Sequence, residues 1–78
     1  MTRTATRWTS EALAARLRAQ SAIDTAPRGL AALAAAEHLE LLQTIESVST
    51  ARITPDDAVA RMTRISDEIR NALATMKR

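Results

Sequence analysis

Between residues 58 and 76 the side chains of Ala58, Met62, Ile65, Ile69, Ala72 and Met76 recur at spacings of 4, 3, 4, 3 and 4. On an α-helix that alternation draws one narrow apolar seam; on a strand it would scatter the same residues over both faces. The segment is therefore helical, and its seam has to be covered by other helices. Val59, Ser66 and Leu73 follow along one flank, seven residues apart. The outer face offers the i, i+4 pairs Asp57 with Arg61 and Arg64 with Glu68. Just upstream, "ITPDDAV" reads as a helix start. Thr54 suits the N-cap and Pro55 the first helical position, with Asp57 standing where a capping box keeps its acid. The pattern predicts a helix over residues 55–75.

The whole chain has one glycine and two prolines among its 78 residues, which leaves few turns and excludes an all-β fold. "DTAPRG", residues 24–29, is the other interruption. Helices are predicted on either side of it, over 10–23 and 27–50, with Pro27 in the first turn of the second and Thr25 or Ala26 as its cap. In that second helix Leu30, Leu33, Leu41, Ile45 and Val48 share a face at about 100° per residue, whereas Leu39 points nearly opposite, towards a second contact surface. Glu37 interrupts the apolar arc. The first helix carries a weaker stripe, Leu13, Leu17 and the polar Gln20, among alanines. The short link near residue 52 makes the second and third helices antiparallel neighbours. The expected architecture is all-α: a short helix plus a long antiparallel hairpin over residues 9–78, preceded by a flexible basic tail at 1–8.

The core available to such a fold is thin. Apolar residues make up 46% of the chain, but 17 of them are alanine, and without Ala and Met1 only 18 large apolar side chains remain. Leu, Ile, Val and Phe total 15 of 78, few enough to raise disorder, yet the net charge is only +2, so the chain reads as folded but marginal alone. Chains of this size usually need a staple, and no cysteine is present to make a disulfide. Association is the remaining means. The expectation is a homodimer that completes a helical bundle, with Ile65 and Ile69 at or beside the subunit contact and Leu41 and Ile45 opposite. Met62, Met76 and Trp8 join these as expected partner or dimer contacts.

Trp8, the single aromatic residue, precedes Thr9-Ser10-Glu11. With Thr9 as N-cap, Trp8 and Leu13 occupy the two positions of a hydrophobic staple. The competing role is that of a partner anchor. Glu37 has a similar choice between pairing with an arginine of the first helix, Arg16 or Arg18, and serving as a polar specificity device in an interface. A lone buried carboxylate would be costly.

Catalytic chemistry is hard to build from these residues. His38 is the only histidine, "EHLE" at 37–40 is a weak metal pattern, and no glycine-rich phosphate loop occurs. No enzyme activity, cofactor, metal or small-molecule substrate is expected. No apolar run reaches the length of a membrane span, and no signal-peptide pattern is visible, so a cytoplasmic, membrane-free protein is expected. Ten arginines against one lysine, with abundant alanine, suit a GC-rich bacterial or phage genome.

Charge is segregated along the chain: +3 over residues 1–28, −4 over 29–58 and +3 over 59–78. The leading expectation is a regulatory protein–protein interaction module: an inhibitor, anti-activator, chaperone or accessory subunit. The alternative is a nucleic-acid-binding helical dimer using Arg3, Arg7, Arg16 and Arg18. In architecture alone the hairpin resembles the RNA-binding helical hairpin of plasmid copy control. Around "ITPDDAV" it resembles the small subunit of exonuclease VII, without that family's glycine and phenylalanine positions. Neither resemblance assigns a role to a residue.

Overall fold

A computed structural model describes residues 8–77. It contains α1 (Ser10–Asp24), a 3₁₀ turn (Arg28–Leu30), α2 (Ala31–Ser49) and α3 (Pro55–Met76). There is no strand among the described residues. The links at 25–30 and 50–54 are short, so successive helices run antiparallel and α1 runs in the same direction as α3. The predicted tail falls largely on residues 1–7, outside those described.

Each helix end follows from local chemistry. Thr9 has extended backbone and its hydroxyl accepts from the Ala12 N–H at 3.1 Å, starting α1 where the sequence places the cap. Thr54 accepts from the Asp57 N–H at 3.1 Å, and the Asp57 carboxylate returns at 3.5 Å to the Thr54 N–H, so the capping box forms with aspartate as its acid.

The start of α2 differs from expectation. Pro27 is extended, with ψ 166°, and leads into the 3₁₀ turn rather than opening the α-helix. The reason is the missing cap: the Thr25 hydroxyl donates back to the Ser21 carbonyl at 2.8 Å, closing α1, and Ala26 has no side-chain acceptor. Helix α2 ends in a Schellman motif. The Arg52 N–H donates to Ser47 at 2.8 Å and the Ala51 N–H to Val48 at 3.0 Å. Ala51 holds the left-handed position, φ 61°, which usually belongs to glycine.

The core forms where the seam of α3 meets two different surfaces. Ala58, Met62, Ile65 and Ile69 are buried, as the spacing predicts. From α2 come Leu41, Thr44 and Val48, with Leu33 and Ile45 packed beside them. From α1 come Ala12, Ala15 and Ala19, each fully buried. That last surface reverses the sequence reading. Leu13 and Leu17 are 45% and 70% exposed. Alanines spaced 3 and 4 apart let α1 lie close against the bulky side chains of α3, and α1 packs on α3 more extensively than on α2. A leucine face on α1 would have held the helices apart.

Candidate functional site

Helix α2 buries Glu37, Leu41, Thr44 and Val48, spaced 4, 3 and 4 apart, so a carboxylate opens the stripe that faces α3. Thr44 satisfies itself by donating to the Glu40 carbonyl at 2.8 Å. Glu37 has no such local solution. It is 7% exposed, and the side chain it meets across the interface is another acid, Glu68 of α3. Two carboxyls can share a hydrogen bond only when one of them keeps its proton. Burial, then the hydrogen bond to Glu68, then the negative charges of Glu68 and Glu40, push the Glu37 carboxyl from 4.5 up to about 7; Arg64 opposes the rise.

Arg64 itself reaches across to Glu40 at 3.8 Å, with side chains 61% and 37% exposed. This replaces the expected Arg64–Glu68 pair along one helix. Such an exposed contact contributes little, about 0–1 kcal/mol. Asp57 does not pair with Arg61 either; its carboxylate is used in the capping box. Nor does Glu37 pair with Arg16 or Arg18. The guanidinium of Arg16 lies 5.1 Å over the Trp8 ring, and Arg18 is exposed on the other side of α1. Trp8 is half-buried and packs against the core. Its cover of Arg16, a cation over an aromatic face, is a feature the sequence reading did not anticipate.

The side chains expected at a dimer contact are divided. Leu41, Met62, Ile65 and Ile69 are buried within one chain, and Ile45 is half-buried. Met76 is 51% exposed at the end of α3, where its thioether lies over the turn; a Cβ added to Gly29 would meet the Met76 methyl at 2.9 Å. Arg3 and Arg7 lie outside the described residues.

What the surface displays instead is leucine. Besides Leu13 and Leu17, Leu39 and Leu42 of α2 are 61% and 48% exposed. Leu39 was expected to face away from the core, and does. The signal for Leu13 and Leu17 was in their neighbours: Ala12, Ala15, Ala19 and Ala22 repeat at spacings of 3, 4 and 3, as regular a seam as that of α3.

Among the described residues no group of three or more His, Cys, Asp or Glu side chains converges as a metal site, and no helix is long and apolar enough to cross a membrane. No protein-family model matches the chain, and no curated protein or solved structure is significantly similar to it; the two architectural resemblances gain no support from these comparisons.

Proposed function

We propose that this chain is a small, non-enzymatic helical module that acts by binding another protein, in a regulatory part such as an inhibitor, anti-activator, chaperone or accessory subunit. One observation carries the reading. The interior is closed by a single chain, yet four of the eight leucines, Leu13, Leu17, Leu39 and Leu42, remain at the surface. Scattered exposed leucines are ordinary, but half of the leucines outside a core this thin is a large share to leave in water. A second copy meeting this chain would meet these outer leucines, because Leu41, Met62, Ile65 and Ile69 already face inward.

The test is site-specific photo-crosslinking in the native host from positions 17 and 39. A discrete protein adduct, kept at high salt and lost in the folded variant L17E/L39E, supports the reading. An adduct containing the same chain identifies self-association. Recovery of nucleic acid, released steeply as salt rises, favours the arginine-based alternative instead. No adduct from either position, with the protein folded and expressed, sinks the interaction role.

A further inference from the structure

The surface between α1 and α3 opposite α2 contains a groove of about 300 Å³, lined by Arg18, Ser21, Ala22, Ser66, Ile69, Arg70 and Leu73. It exists because the contact there is built from small residues. Ala19 and Ala22 bring α1 close to α3, and neither they nor Ser66, which is 5% exposed and donates to the Met62 carbonyl at 3.2 Å, fill the space beside Leu73. The floor is apolar, made by Ala22, Ile69 and Leu73. Its two lips are cationic.

Among the described residues Arg18 has no acid to match it, and Arg70 has one only on its own helix. Arg18 makes no hydrogen bond or ion pair among the described residues. Asp24 of the same helix is engaged by the Gln20 amide at 2.9 Å. Arg70 pairs only with Asp67, one turn back on its own helix, at 3.1 Å and with both side chains well exposed. Helix α2, behind the groove, carries Glu37, Glu40 and Glu46 with no Lys or Arg, whereas α1 balances two arginines with two acids and α3 sets three arginines against four acids, so the cationic character of the groove is local to Arg18 and Arg70.

Resting on the interaction role above, we propose that this groove receives an acidic amphipathic helix of a partner protein. One large apolar side chain of that helix sits on Ala22, Ile69 and Leu73, and carboxylates on either side of it meet Arg18 and Arg70. Two parallel helices with an open groove provide the seat for a further helix, the common helix-in-groove mode of recognition. A phosphate backbone would satisfy the arginines but leave the apolar floor wet, so an acidic peptide fits both halves of the site where a nucleic acid fits one.

The test uses the full chain, isotope-labelled, and three probes. These are a synthetic helical peptide with a leucine row flanked by glutamates, the same peptide with lysines for the glutamates, and a short DNA duplex. The acidic peptide is expected to shift the methyl resonances of Ala22, Ile69 and Leu73, with the lysine peptide about tenfold weaker or silent. In R18E/R70E, whose exposed substitutions should leave the thermal melt unchanged, the preference is expected to invert. Several results overturn the proposal: no shift in the groove at millimolar acidic peptide, equal response to both peptides, or an unaltered preference in the double variant. Groove shifts produced by the duplex and not by the peptide overturn it in favour of a nucleic-acid surface. Shifts confined to Leu13, Leu17, Leu39 and Leu42 overturn it while leaving the broader interaction role standing.

Discussion

Raising the pH from 5 to 8 should destabilise this protein, and Glu37 should be the reason. In the unfolded chain its carboxyl titrates at the ordinary 4.5; in the folded chain it holds its proton up to about 7. Between those values the folded state binds more protons, so unfolding free energy falls as pH rises. The stability linked to this proton is fully present below 4.5 and lost once pH has passed 7. The full shift corresponds to about 3 kcal/mol at about 1.4 kcal/mol per pH unit. Because part of the shift comes from the neighbouring Glu68 and Glu40 charges and Arg64 opposes it, about 1–3 kcal/mol is the reasonable expectation. A chain of this length has about 4–12 kcal/mol in total, so the effect is large, roughly 4–8 °C of Tm for each kcal/mol. Glu37→Gln isolates the group. The amide can still donate to the Glu68 carboxylate, but no longer titrates. The variant should match the wild type near pH 5, exceed its stability at pH 8 by the same 1–3 kcal/mol or so, and show a flatter pH profile. Urea unfolding followed by circular dichroism at half-unit pH steps measures this. A wild-type stability that stays level or rises across the window, or an unchanged slope in Glu37→Gln, would refute a Glu37 that keeps its proton in the folded state.

Other outcomes follow from the same geometry. Ala51→Gly should stabilise by about 0.5–1 kcal/mol, since glycine takes the left-handed φ of 61° without a Cβ penalty; a destabilised variant in thermal melts would mean the Schellman turn is absent in solution. Thr54→Ala should cost about 1 kcal/mol through the lost cap, with unchanged melting pointing to another start for α3. Ala15→Leu should cost about 1–3 kcal/mol by overpacking, while Leu17→Gln should stay within about 0.5 kcal/mol; the opposite order of the two would put the leucine face of α1 inward. Trp8→Ala should cost about 1–3 kcal/mol through lost burial and the lost Arg16 contact, and wild-type Trp8 should emit to the blue of a free indole; a water-exposed spectrum in the isolated protein would remove it from the core.

How much of this was legible in the sequence varied with the kind of signal. The caps were, because Thr9 and Thr54 need only the backbone three residues on. The seam of α3 was, because large side chains at helical spacing have no other place to go. The acid pair was within reach: Glu37 lies fifteen residues before Arg52 and Glu68 sixteen after it, while Glu40 and Arg64 each lie twelve away. Counting outward from the loop of an antiparallel hairpin sets both cross-helix contacts at once. Looking along each helix alone pairs Arg64 with Glu68 and leaves Glu37 to search for an arginine.

The face of α1 was misread for a different reason. Hydrophobicity ranks leucine above alanine, so Leu13 and Leu17 seem to claim the interior. Burial in a bundle is instead limited by how closely two backbones can approach. Helix α3 already fills its seam with Met62, Ile65 and Ile69, and a second layer of long side chains from α1 would have widened the bundle beyond what α2 can close. Small residues on α1 resolve that conflict, at the expense of some apolar burial on α1 itself. Three consequences come from this one exchange. The chain buries Met62, Ile65 and Ile69 against its own helices. The leucines of α1 become surface, as are Leu39 and Leu42 of α2. And the alanines that permit close approach leave the floor beside Leu73 unfilled, between Arg18 and Arg70, so the residues that close the core also shape the groove in which we propose that another helix docks.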